Sequence, residues 1–185
     1  YMDAQMGRVL ESLRQSGRLD DTLVIFSSDN GPVTSDPQEA WELNMAGETG
    51  GFRGRKRYLF EGGLRVPGIF RWPGRLASGV LVDTPVTALD IFPTIADYLE
   101  LVLPEGRAVD GQSITGLLDE DEATSLERSS IFYWSIPTPD GMEYAVREGW
   151  WKMILDPDGQ PQYLFNLLHD RYEVHNLIEG EPERV

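Results

Sequence analysis

Apolar residues recur at Met2, Met6, Val9, Leu10 and Leu13, the three-and-four spacing of one helical face. The pattern predicts an amphipathic helix over residues 2–15, stopped by Ser16-Gly17. Residues 23–27 then form a short, nearly continuous apolar run, the pattern of a strand covered on both faces, as parallel strands of α/β sheets are. A second run over 68–72 closes on Pro73-Gly74, and Val86, Leu89, Phe92, Ile95, Ala96 and Leu99 mark another helix with Pro93 in its first turn. Residues 32–50 and 104–116 have the composition of loops, and 119–127 that of an acidic, solvated connector.

The periodicity changes after residue 128. Short aromatic-rich runs at 131–134, 144–147, 151–155 and 163–166 alternate with turns, and Asp156-Pro157-Asp158-Gly159 is a hairpin signal. The chain therefore divides into an α/β portion, residues 1–127, and a small antiparallel β portion, 128–185, with the second expected to be truncated. The opening helix has no N-cap residue before it, and the chain is read as a fragment.

Composition narrows the functional classes. The net charge of −15 argues against nucleic-acid or anionic-membrane partners. Seven of the sixteen basic residues, Arg53, Arg55, Lys56, Arg57, Arg65, Arg71 and Arg75, crowd into residues 51–75 with Glu61 as the only acid there. A focused anion site on an acidic body fits that distribution. The segment is also punctuated by Gly50-Gly51, Gly54 and Gly62-Gly63, which permit close backbone approach. Glu61, between Lys56 and Arg65, is expected to pair with one of them. No cysteine is present, so disulfides and thiolate metal sites are excluded.

Asp29 and Asn30 follow the first apolar run directly, where ligand-binding groups gather beyond strand ends in α/β sheets. Both offer hard oxygens suited to Ca²⁺ or Mg²⁺, although an ordinary Asp-Asn-Gly turn has the same sequence. His169 and His175 lie in a polar tail and read as surface residues, while Trp41 in the long loop is a candidate for touching a sugar or aryl ring. No nucleophile motif occurs.

Taken in order, these segments resemble the C-terminal part of type I sulfatases, of the alkaline-phosphatase superfamily. MDAQMGRVLESL with DDTLVIFSSDNGP resembles the helix and strand leading to the family's metal motif. GFRGRKRYLFEGGLRVPGIFRWPG resembles its second signature, with the spacing from Lys56 to Glu61-Gly62-Gly63 intact. DIFPTIADYLEL, VDGQSITGLL, AVREGWWKMIL and QYLFNLLHDRYEVHNL resemble later segments.

The resemblance implies part of an alkaline-phosphatase-like sandwich sheet followed by a small antiparallel C-terminal sheet. It further implies that Asp29 and Asn30 are two of four protein ligands of an active-site Ca²⁺. Lys56 corresponds to the lysine that contacts the substrate's sulfate, a catalytic and substrate-binding role. The family's nucleophile, formylglycine made within a C/S-x-P-x-R motif, is expected upstream of Tyr1 and is absent here. The expected substrate is a sulfated sugar or aryl sulfate ester, and export to periplasm, lysosome or medium follows from the same resemblance.

The 185-residue chain alone is expected to be inactive. A sheet cut in mid-fold would expose strand edges and invite pairing with an N-terminal half or self-association. Two other readings stand beside the sulfatase: a phosphonate or phosphate-ester hydrolase of the same superfamily, and a non-catalytic binding or structural module.

Overall fold

The computed structural model describes residues 1–33, 47–119 and 131–185. In chain order the elements are α1 (Met2–Gln15), β1 (Val24–Ser27), α2 (Glu61–Leu64), β2 (Gly68–Arg71), α3 (Ile91–Tyr98), α4 (Thr115–Leu118), β3 (Ile131–Thr138), β4 (Gly141–Glu148), β5 (Trp151–Leu155) and β6 (Pro161–Asn166). Trp41 and residues 120–127 of the acidic connector lie outside the described residues. The chain forms two compact units: 1–27 with 68–127, and 28–67 with 128–185, each as far as it is described.

In the first unit, α1 covers the predicted span. Gly17 ends it at φ 69°, and the Arg18 N–H reaches back to Leu13 O at 2.9 Å, so the last carbonyls of the helix are satisfied. Met6, Leu10 and Leu13 are half-buried, and no residue of α1 is fully buried. Strand β1 pairs with β2 in a two-stranded antiparallel sheet, with Val24 opposite Arg71 and Ser27 opposite Gly68. This corrects the expectation of a parallel strand covered on both faces. Its apolar residues are only half-buried and Ser27 is exposed, because no third strand among the described residues extends the sheet.

The α3 region is held by polar groups. Thr87 and Asp90 form a capping box, and the buried Asp90 carboxylate also accepts the Gln112 N–H at 2.9 Å. Trp72 packs edge-on against Tyr98 at 5.3 Å, and the Tyr98 hydroxyl donates to Asp119 at 2.8 Å.

The second unit is built on the antiparallel meander β3-β4-β5-β6. All four predicted strands are present, and Asp156 closes the β5–β6 turn by accepting the N–H groups of Asp158 and Gln160. Alternate residues Ala145, Ile154 and Phe165 turn one way and form a core with Leu59 and Leu167. Leu59 belongs to the basic segment, so that segment contributes directly to the core over the sheet.

Beyond β6 the chain turns at Asp170, whose side chain accepts the N–H groups of Val174 at 3.1 Å and His175 at 2.8 Å. Burial pushes this carboxyl up, but the backbone N–H bonds outweigh it and hold it below the usual range. A carboxyl with a depressed folded pKa stabilises the fold above its unfolded value, about 3.9, and that contribution is lost as pH falls through the folded value. Asp170→Ala should therefore cost about 1 kcal/mol at pH 7, the usual worth of a capping carboxylate. The gap between variant and wild type should close on acidification below about pH 4. Denaturant melts at pH 7 and pH 3 test this, and a gap independent of pH would reject it.

Candidate functional site

The first predicted site residues sit on a turn whose shape is set by its glycine. Gly31 N–H donates to Gly63 O at 2.8 Å, and a Cβ on Gly31 would run into the carbonyl oxygen of Gly62. Only glycine allows the Asp29-Asn30 turn to lie this close to the backbone of α2. Asp29 is exposed and accepts a long hydrogen bond from Ser28 Oγ at 3.4 Å. Asn30 is half-buried, and its amide nitrogen donates to Gly31 O at 3.0 Å. The Asn30 side-chain oxygen accepts no hydrogen bond among the described residues.

A second backbone bond brings in the basic segment. Lys56 N–H donates to Pro32 O at 3.0 Å, so the peptide carrying Lys56 lies against the residue that follows the Asp29-Asn30-Gly31 turn. Lys56 is half-buried, and its ammonium makes no ion pair among the described residues. The next residue, Arg57, takes φ 73°, a left-handed conformation that costs a non-glycine residue about 1–2 kcal/mol. Strain of this kind concentrates at ligand-binding turns.

Other cations of the segment are committed to structure. The Arg53 guanidinium stacks over Phe60 at 4.0 Å and Tyr163 at 4.8 Å, and donates to Glu173 O at 3.0 Å. Arg65 lies over Phe52 at 5.1 Å and contacts Glu61 Oε2 at 3.4 Å. Gly62 and Gly63 fit against the carbonyls of Arg53, Gly54, Arg55 and Tyr58, where any Cβ would collide. The glycine punctuation is what folds the segment back on itself.

Glu61 is structural, as expected, but its main partner is not in the basic segment. Lys152 of β5 approaches Glu61 Oε1 at 3.0 Å and Glu173 Oε1 at 2.8 Å, and Glu173 Oε2 accepts the Glu61 N–H at 2.6 Å. Lys152 and Glu173 are 0% exposed and Glu61 is 4% exposed. One signal for this was available in the sequence: Lys152 is in phase with Ile154 on the inward face of its strand. His169 and His175 are exposed, as predicted.

No group of three or more His, Asp or Glu side chains is gathered for a metal among the described residues. Asp29 and Asn30 bring a carboxylate and an amide oxygen, which match a hard cation in kind but fill only part of a Ca²⁺ shell of 6–8 oxygens. No helix among the described residues is long and apolar enough to cross a membrane.

The chain has recognisable relatives among known proteins. The sulfatase family model matches residues 1–101. Human steryl-sulfatase is 38% identical over 133 residues, covering 72% of this chain and 22% of that protein. The solved structure of Ps i-CgsB in complex with k-i-k-neocarrahexaose superposes with a TM-score of 0.77 at 26% identity, over 97% of this chain and 37% of that one. A phosphonate monoester hydrolase from Agrobacterium radiobacter gives a TM-score of 0.70 at 25% identity, over 98% of this chain and 36% of that one. The chain thus spans about a fifth of the length of the steryl-sulfatases it matches. This chain combines helices with a four-stranded antiparallel sheet, and the structures it resembles are alkaline-phosphatase-like.

Proposed function

This chain belongs to the sulfatase family, and on that premise we propose that it supplies part of the active site of an enzyme hydrolysing sulfate esters. The observation that carries the reading is the pair of backbone hydrogen bonds, Gly31 to Gly63 and Lys56 to Pro32, which join the acid-amide turn to the peptide of a lysine that makes no ion pair among the described residues.

In this proposal Asp29 and Asn30 give two oxygens to a bound Ca²⁺. Such an ion would neutralise charge on the sulfate and polarise its oxygens. The Lys56 ammonium binds a sulfate oxygen and stabilises charge that builds as the ester S–O bond breaks. Glycines 31, 62 and 63 keep the two peptides in register, so neither group has to be reorganised when substrate arrives. The nucleophile, formylglycine in the family resembled, and the remaining metal ligands come from sequence outside these 185 residues, and the chain by itself does not turn over. The substrate is a sulfated sugar or aryl sulfate; the oligosaccharide complex of Ps i-CgsB favours the sugar.

Asp29→Ala is the direct test of the metal assignment. Calcium affinity by titration calorimetry should fall by at least about 100-fold, since losing a direct carboxylate ligand costs no less than the 10–100-fold lost with a group that only orients a ligand. Wild-type affinity in the variant would remove Asp29 from the site. The structural likeness to a phosphonate monoester hydrolase supports a second reading, hydrolysis of a phosphonate ester on the same groups. Turnover of matched aryl sulfate and aryl phosphonate esters by the active enzyme separates the two.

A further inference from the structure

Strand β5 places a lysine where its alternation calls for an apolar side chain. Lys152 shares the inward face with Ile154 and has no exposed surface. Burying an ammonium among carboxylates rarely adds net stability over an apolar replacement, because desolvation offsets the attraction. Stability alone therefore gives no reason for this arrangement. Its geometry does.

Glu61 is the first residue of α2, and it is fixed at both ends. Its carboxylate meets Lys152 at 3.0 Å, and its N–H donates to Glu173 Oε2 at 2.6 Å. Glu173 is itself fixed by Lys152 at 2.8 Å, and its carbonyl accepts from Arg53 at 3.0 Å. The same Arg53 presents its carbonyl to Gly62 N–H at 2.7 Å. The next residue, Gly63, accepts from Gly31 at 2.8 Å, one residue from Asn30. An unbroken run of short contacts thus leads from the C-terminal sheet to the acid-amide turn.

Resting on the sulfatase reading above, we infer that Lys152 and Glu173 are positioning residues: they fix Glu61-Gly62-Gly63, and through it set the placement of the Asp29-Asn30 turn. The C-terminal sheet is then a brace for the site as well as a fold element. The pair suits this role because Lys152 donates to Glu61 Oε1 while Glu173 Oε2 accepts the Glu61 N–H, so two oriented hydrogen bonds hold the first residue of α2. Glu173 takes φ 57°, a strained conformation for a non-glycine residue, which keeps its carboxylate within reach of both partners.

Lys152→Met in the purified full-length protein tests the inference, with Ile154→Ala, in the core of the same sheet, as a control for general destabilisation. Amide exchange at Gly31, Gly62 and Gly63 should accelerate about tenfold more in Lys152→Met than in the control, and calcium affinity should fall about tenfold. If Lys152→Met does not fold, Glu173→Gln takes its place, since it retains an oxygen to accept the Glu61 N–H but removes the charge opposite Lys152. The same selective loosening is expected. Equal exchange at the three glycines in the folded variant and the control would overturn the inference, as would failure of both variants to fold, which would assign the pair to folding alone. Absence of calcium uptake by the wild-type protein would defeat the functional reading, while the exchange pattern would still decide the positioning role.

Discussion

Alanine at Lys56 should lower turnover of a sulfate ester by the active enzyme about 10²- to 10³-fold, the cost of removing one preorganised group that stabilises transition-state charge. The melting temperature and calcium affinity should stay at wild-type values. Lys56 is half-buried, yet its ammonium closes no ion pair and makes no side-chain hydrogen bond among the described residues, so its removal leaves no partner stranded. Its backbone bond to Pro32 survives any side-chain change. Arg53, three positions earlier, is the contrast: it stacks on two aromatic rings and bonds Glu173, so its loss would be felt in the fold. Lys56→Arg should restore activity only in part, because a planar guanidinium cannot occupy the place of a compact ammonium. Steady-state kcat and KM, with thermal melts alongside, decide the matter. Wild-type kcat in Lys56→Ala would remove it from the catalytic machinery.

Much of the scaffold was legible in hydrophobic periodicity. The opening helix follows from its three-and-four spacing, and both strands of the first unit and the four-strand meander from short apolar or aromatic runs bounded by turn residues. Strand direction was not legible. An apolar run of four residues reads alike in parallel and antiparallel pairing, and β1 proved antiparallel to β2 and only half-covered. The candidate site was legible as two separate segments, an acid-amide turn and a glycine-rich basic stretch. Their junction depends on two backbone bonds and three glycines whose tolerance for close approach has no spacing rule. The brace was least visible. Lys152 carried a weak signal in its phase with Ile154, but Glu173 meets Glu61 across 112 residues of sequence, and nothing local in a polar tail announces such a contact.

Gly31→Ala should be the most damaging single-methyl substitution in the second unit. The new Cβ would overlap the Gly62 carbonyl oxygen and press on Gly62 C at 2.8 Å and Gly63 Cα at 2.9 Å, all of them backbone atoms with no rotamer to yield. Overpacking a tight site costs about 1–3 kcal/mol, and backbone-on-backbone overlap belongs at the upper end. Relief requires the two peptides to separate, which breaks the Gly31–Gly63 hydrogen bond and shifts the Asp29-Asn30 turn away from α2. Stability, calcium affinity and turnover should therefore fall together, unlike the pattern at Lys56. Gly68→Ala is the internal control: a Cβ there meets nothing within 4 Å, so that variant should stay within about 0.5 kcal/mol of wild type. Denaturant titration of both variants, paired with calcium calorimetry, measures the difference. A Gly31→Ala protein as stable as Gly68→Ala, with its calcium site intact, would show that the acid-amide turn does not lean on α2, and the functional reading would lose the contact it depends on.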